Sequence, residues 1–449
     1  MKIDVCFLYM NRIKYANSEI TPIGFTNWRE PKQRFGIKDK DRLSHIYVLG
    51  KSGVGKTTLI ENMVISDIRK GKGVAVIDPH GDLSETILNY IPKERIGDVI
   101  YLNTRDTEYP VAFNPLNNVP PEYHHLVASS LISTFKKVWT DSWGPRLEYI
   151  LKFSILTLLY YSEATLLDIQ SLLTNPVFRN HVLGYVTDPH ILSFWKHEYE
   201  NKHSSRSEAI SPILNKTGMF LMNAPLRNIV GQKNTGFNMQ SVLDEGKIFI
   251  ANLSKGTIGE DIASLLGSML ITSMHYSALS RAKLEEHKRK PFYLYVDEMH
   301  SFISLSFADI LAEARKYGLS LFLAHQYIDQ LHEKIRSAIF GNVGTMISFR
   351  VGADDARYLA KEFYPVFEES DFVNLPRYSM YLKLMIDGAT SKPFSADSMP
   401  LREATISFKE DIIKYSRSIY AKPGKVVESD IFKKASGYHM DSTEQAALW

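Results

Sequence analysis

The chain holds one cysteine, Cys6, among 449 residues. An intrachain disulfide is therefore impossible, a four-cysteine zinc site is excluded, and a reducing compartment fits. An excess of one charge is also missing. The 53 Lys and Arg against 50 Asp and Glu leave only +3, so bulk charge does not announce a nucleic-acid binder and any such contact must come from local groups. The fourteen histidines contain no i, i+4 pair and no H-E-x-x-H, which removes the usual zinc-hydrolase signature. With no G-x-S-x-G and no cysteine pair, covalent catalysis by a side chain has no foothold. Met1–Met10 is broken by Asp4 and lacks both a basic lead and a cleavage site, so no signal peptide is read. Internal repeats and low-complexity tracts are absent as well.

What is present is the composition of a folded protein, 44% hydrophobic and 23% charged. At about 100 to 200 residues per domain, the length allows roughly two to four domains. From residue 46 short apolar runs alternate with helical periodicity: a strand Ile46–Leu49, a helix Thr57–Lys70, a strand Gly73–Asp78, a helix Leu83–Ile91 and a strand Asp98–Asn103. This predicts an α/β domain with a mainly parallel central sheet. About 120 residues of helical spacing then follow, with hardly a strand candidate, before alternation resumes at Lys247–Asn252, Phe292–Asp297, Leu319–Ala324 and Thr345–Val351. The expected organisation is a small β-rich segment at 1–45, a first motor part at 46–118, an all-helical insert at 119–240, a second motor part at 241–400, and a C-terminal helix with a polar tail at 401–449. Ser379–Ile386 is read as a last edge hairpin, Ala404–Ile419 as an amphipathic helix, and the tail from Ala421 as holding little that could form a core. The apolar window Ile262–Leu279 carries four serines, Thr272 and His275, and reads as a buried helix rather than a membrane span.

Gly50-Lys51-Ser52-Gly53-Val54-Gly55-Lys56-Thr57, followed by Thr58, satisfies G-x-x-x-x-G-K-[ST] between a strand and a helix. Such a loop wraps phosphate with inward backbone N–H groups and the positive end of the helix dipole; Lys56 then reaches the β- and γ-phosphates, and Thr57 ligates Mg²⁺. The apolar strand Phe292–Val296 ends in Asp297-Glu298, the expected Walker B pair, with Asp297 on the Mg²⁺ shell and Glu298 orienting and deprotonating the attacking water. Leu319–Ala324 ends in His325-Gln326, which makes Gln326 a γ-phosphate sensor candidate. Arg315 and Arg350 are both arginine-finger candidates. Asp78-Pro79-His80-Gly81-Asp82 leaves two readings open, an aid to Mg²⁺ or water and an Asx-type turn that caps the next helix. Guanine specificity lacks support, because Asn215-Lys216-Thr217-Gly218 has glycine where a base-reading aspartate belongs. The two-domain helicase suggested by Asp297-Glu298-Met299-His300 would need a second RecA-like domain with an arginine-rich motif, and none is found. His287–Lys290 reads as a solvated basic turn sooner than as a nucleic-acid contact, and Lys136-Lys137, Trp139 and Trp143 could contact a nucleic acid, although aromatics in a helical region more often fill a core.

Taken in order, Gly50–Thr57, Ile77–Asp82, Trp143-Gly144-Pro145-Arg146, Val296-Asp297-Glu298 and Ala324-His325-Gln326 resemble the coupling-protein branch of the HerA/FtsK superfamily, the DNA-transfer ATPases of type IV secretion systems. The resemblance covers roughly residues 20 to 400. It implies a RecA-like motor that uses ATP and Mg²⁺, assembles as a hexameric ring and threads DNA through a central channel. It further implies that Arg315 is the trans-acting finger, that Gln326 links the γ-phosphate to the pore, and that the helical insert recruits cargo or relaxosome partners. Membrane-anchored members carry transmembrane helices ahead of the motor. With the phosphate loop starting at Gly50, the expectation is a cytoplasmic protein without such a segment, peripheral to a secretion channel. Other readings are an ATPase powering protein export or assembly, and a soluble HerA-like motor partnered with a nuclease.

Overall fold

Four consecutive apolar residues, Ile46 to Leu49, are buried on both faces, as a strand flanked by parallel neighbours and covered by helices must be. The computed structural model describes residues 19–27, 32–139, 143–200, 203–305 and 307–444. Cys6, Met1–Met10 and the last five residues of the tail lie outside the described residues. The strands are β1 (Ile20–Thr26), β2 (Arg34–Lys38), β3 (Ile46–Leu49), β4 (Gly73–Asp78), β5 (Val99–Asn103), β6 (Ile248–Asn252), β7 (Phe292–Val296), β8 (Leu319–His325), β9 (Thr345–Ser348), β10 (Ser379–Lys383), β11 (Met385–Ile386), β12 (Ala389–Thr390) and β13 (Phe394–Ser398). Among the described residues eleven of them form one sheet in the order β2-β1-β13-β10-β9-β3-β8-β7-β4-β6-β5. From β9 to β6 the pairings are parallel. The four strands beyond β9 run antiparallel. The fold is thus α/β with a mainly parallel central sheet, as the alternating pattern predicts.

Two compact units divide the chain. The first takes the residues up to Ile100, Met239–Asn252 and Ser277–Tyr415; the second takes Tyr101–Asn238, Leu253–Tyr276 and the chain from Ser416 onward. This corrects the expected boundaries in three places. The described residues of the 1–45 segment do not stand apart from the motor, because β1 and β2 extend the central sheet through β13. Most of the apolar helix, observed as Glu260–Ser280, joins the second unit rather than the motor. The tail from Ala421 is not merely polar: Gly424–Glu444 is a helix that buries Val427 and Ile431. Two further differences concern local elements. The helix expected at Ala404–Ile419 runs from Lys409 to Tyr420, and β10 lies inside the sheet between β9 and β13, so Ser379–Ile386 is not an edge hairpin.

In the second unit the helices His124–Val138 and Pro145–Leu158 bury the repeating apolar positions that the periodicity marks. Trp139 is 7% exposed and stacks on Phe135, which makes it a core residue. One helix among the described residues, Glu260–Lys283, is long and apolar enough to cross a membrane, and 78% of its apolar 18-residue window is buried.

In the first unit one buried ion pair ties the phosphate-loop region to the neighbouring strands. Arg42 donates to both carboxylate oxygens of Asp67, at 2.7 and 2.8 Å, and to the Tyr295 hydroxyl at 2.6 Å. Its guanidinium lies 3.8 Å from the Tyr293 ring centre. Asp67 sits on the helix after the phosphate loop and Tyr295 on β7, so the pair fixes that helix against the strand that carries Asp297. Burial pushes the Asp67 carboxyl up, and the Arg42 charge overrides it, so the group titrates below the ordinary carboxylate range. A lowered carboxyl contributes stability above its ordinary pKa and loses it as pH falls through the lowered value. Breaking such a pair by removing one partner typically costs about 3 to 5 kcal/mol.

Candidate active site

The carboxyl ends of β3, β4, β7 and β8 reach one edge of the sheet, where α/β folds place ligands. Register sets the alignment: Leu49 opposes His325, Val296 opposes Leu323, and Ile77 opposes Val296. Because β8 lies between the strand leading into the phosphate loop and the strand ending in the acidic pair, Gln326 emerges between the two motifs.

The loop leaves β3 at Gly50 and re-enters structure at Lys56, the first residue of the helix Lys56–Arg69. Gly53 and Gly55 hold left-handed φ values of 73° and 124°, which L side chains rarely adopt. No side chain caps this helix and its first turn carries no acid, so its N-terminal N–H groups are left for an anion. Lys56 is 6% exposed and donates to the Gly50 and Lys51 carbonyls at 2.6 and 3.0 Å. Burial pushes its ammonium pKa down while Glu298 and Asp297 pull it up, and burial prevails. Thr57 is exposed and Thr58 half-buried at the helix start.

Asp297 is buried at the end of β7. Its carboxyl is pushed up to about 7 by burial, then by the Glu298 and Asp78 carboxylates, with Lys56 opposing. Three acids around one lysine make an edge short of positive charge, which suits a divalent cation. Glu298 has φ 46°, a left-handed conformation that is costly for a side chain of this size and that collects at functional sites. Gln326 Nε2 donates to Glu298 Oε1 at 2.6 Å. The other oxygen, Glu298 Oε2, is buried without a hydrogen-bond partner, and His300 Nδ1 lies 3.5 Å away. A carboxylate with one oxygen held and one unsatisfied can accept a proton from water.

The open choice at Asp78 is resolved by its contacts. Its Oδ1 accepts from the His80 and Gly81 N–H groups at 3.0 and 2.9 Å, and its Oδ2 from Ser84 N–H at 2.8 Å. The side chain caps the turn and the helix Asp82–Leu88, and reaches the site only through its charge. The two arginines part company. Arg350 is exposed at the end of β9, and its carbonyl accepts from Lys51 N–H at 2.9 Å, so it flanks the phosphate loop. Arg315 lies in a 3₁₀ turn, Ala314–Tyr317, ahead of β8. The seven residues of β8, at about 3.3 Å each, put it roughly 20 Å from Gln326 on the opposite edge of the sheet.

Sequence reasoning missed a buried pair beneath the loop. The Tyr47 hydroxyl lies 2.5 Å from His325 Nε2, tying β3 to β8. Burial, then His300 and Lys56, push the His325 pKa down to about 3, so the ring stays neutral. Only the position of His325 beside Gln326 hinted at it.

A central sheet with β8 between the Walker A and Walker B strands, carrying phosphate loop, acidic pair and glutamine on one edge, defines a RecA-like P-loop NTPase. The family described as type IV secretion-system coupling protein DNA-binding domain matches residues 36–364, well over half of the chain, and the chain belongs to it. Among solved structures, the bacterial conjugative coupling protein TrwBdeltaN70 is 16% identical, with 82% of this chain and 88% of that chain covered and a TM-score of 0.59. Plasmid coupling protein TrwB in complex with ADP and Mg²⁺ is 15% identical, covering 87% and 98%, with a TM-score of 0.58. VirB4 of Thermoanaerobacter pseudethanolicus is 13% identical, covering 86% and 98%, with a TM-score of 0.56. No curated protein matches the chain.

Proposed function

We propose that the chain is an ATP-hydrolysing, ring-forming motor, hexameric by family resemblance, that pumps DNA through a central channel in conjugative transfer. The observation that carries the enzymatic part is the 2.6 Å bond from Gln326 to Glu298 beside Asp297 and Lys56. It puts a base candidate and a sensor candidate together at the end of a phosphate loop. The nucleic-acid part rests on family membership.

In this reading the loop residues Gly50 to Thr58 wrap the phosphates with their N–H groups, and Lys56 leaves the Gly50 and Lys51 carbonyls for the β- and γ-oxygens. Thr57 and Asp297 would hold Mg²⁺, which would supply positive charge to offset the negative charge of the phosphates. Glu298 orients the attacking water and takes its proton on Oε2, while Gln326 senses the γ-phosphate. Arg350 sits beside its own loop. Arg315, on the far edge, can serve a site only from a neighbouring copy. The protein would act in the cytoplasm, at a membrane secretion channel, with a relaxosome or nuclease as partner.

The test is ATP turnover with and without single- and double-stranded DNA, with mass in solution read in the same buffers. Stimulation by DNA together with a ring-sized mass is expected. Turnover indifferent to DNA would replace the DNA pump with an ATPase of protein export or assembly. For the finger, Arg315→Ala and Lys56→Ala proteins, each inactive alone, should recover turnover when mixed. No recovery at any ratio would remove Arg315 from a shared interface site.

A further inference from the structure

The direction in which a nucleotide lies across the loop follows from the sheet order. Asp297, Glu298 and Gln326 stand on the β7 and β8 side of β3, so the γ-phosphate end of a bound triphosphate belongs there. The nucleoside end then leaves the loop on the other flank of β3, towards β9, β10 and β13. Tyr378, just ahead of β10, stands on that flank and has no part in the roles assigned above.

Tyr378 has φ 70°, a left-handed conformation in which a bulky side chain persists only where its surroundings enforce it. Two backbone bonds do so. Its N–H donates to the Val54 carbonyl of the phosphate loop at 2.9 Å, and its carbonyl accepts from Ser398 N–H at 2.8 Å. The ring rests on the loop itself: a Cβ placed on Gly55 would come within 3.0 Å of Tyr378 Cδ1 and 3.2 Å of Phe349 Cε1. Gly55 therefore serves twice, once for its φ of 124° and once by leaving room for this ring. Although packed against the loop, Tyr378 remains 42% exposed. The Arg377 guanidinium lies 4.7 Å from its ring centre, so a cation already stacks on the aromatic face.

We propose that Tyr378 is the platform on which the base of the bound nucleotide stacks, an inference that rests on the nucleotide site proposed above. The ligand class is a nucleoside triphosphate. Stacking uses the face of the base and not its hydrogen-bonding edge, so Tyr378 adds affinity without choosing between adenine and guanine.

The test is calorimetric titration of the full chain, with Mg²⁺, against three probes: a non-hydrolysable ATP analogue, its GTP counterpart, and inorganic tripolyphosphate, which has the phosphates and no base. Tyr378→Asn removes the ring and suits the left-handed backbone, so it keeps the fold where alanine would strain it. It should weaken both nucleotides by roughly 5- to 100-fold and leave tripolyphosphate unchanged. Tyr378→Phe, which keeps the face, should bind all three as the wild type does. Wild-type affinity of Tyr378→Asn for the nucleotides would overturn the inference, as would an equal loss for tripolyphosphate, which would mark a structural role. Wild-type protein that binds tripolyphosphate as tightly as the nucleotides would keep the phosphate site and discard the stacking platform. Wild-type protein that binds none of the probes would discard the site and the platform together.

Discussion

Lys56→Ala protein is expected to hydrolyse ATP at least about 10²- to 10³-fold more slowly than the wild type, the loss typical when one preorganised donor to developing charge is removed. The argument starts from burial. Lys56 is held at 6% exposure by two loop carbonyls, one at 2.6 and one at 3.0 Å, so its ammonium is kept inside the loop before any nucleotide arrives. Because burial already disfavours its charge, a triphosphate that restores the lost solvation gains more from this lysine than from an exposed one. Alanine removes the cation and leaves the Gly50 and Lys51 carbonyls without this donor. Phosphate release under saturating ATP measures the rate, and nucleotide titration separates lost binding from lost chemistry. Turnover within a few-fold of wild type would mean that the loop does not hold the phosphates.

Glu298→Gln protein is expected to bind MgATP as the wild type does and to hydrolyse it about 10²- to 10⁴-fold more slowly, the range associated with a positioned general base. The substitution is nearly isosteric. A glutamine amide can still accept from Gln326 Nε2 through its oxygen, so the contact now made at 2.6 Å survives. What disappears is the ability of the second oxygen, buried without a hydrogen-bond partner, to take a proton. Equilibrium binding and single-turnover hydrolysis read the two quantities separately. Normal hydrolysis by this variant would move the base elsewhere, and weakened binding with normal single-turnover chemistry would assign Glu298 to positioning the nucleotide instead.

The elements that could be read locally were those that local chemistry specifies. The glycines of residues 50–55 mark a turn whose backbone needs positive φ at two positions, and the apolar runs before Gly50 and Asp297 mark strands buried on both faces. Elements that depend on distant partners were misjudged. The 1–45 segment reads in sequence only as β-rich, because nothing in it names β13, hundreds of residues away, as the partner of β1. Gly424–Glu444 carries few apolar residues, and Val427 and Ile431 become core only where other residues cover them. Nothing local to Arg42 or Asp67 marks the buried ion pair that the fold makes of them.

By itself the sequence determined the class of the central sheet, the position of the phosphate loop, and the acidic strand end that accompanies it. Each of these follows from spacing within a few residues, where sterics, β-branching and helix dipoles act. The tertiary structure alone decided which strand lies between which. Inserting β8 between β3 and β7 brings Gln326 to Glu298 and leaves Arg315 on the far edge, while the strands on the other flank of β3 put Arg350 beside the loop and Tyr378 against Gly55. The reason is physical: strand order is set by non-local pairing and by the burial of whole faces, and no local period in the chain encodes the neighbour that a strand will find.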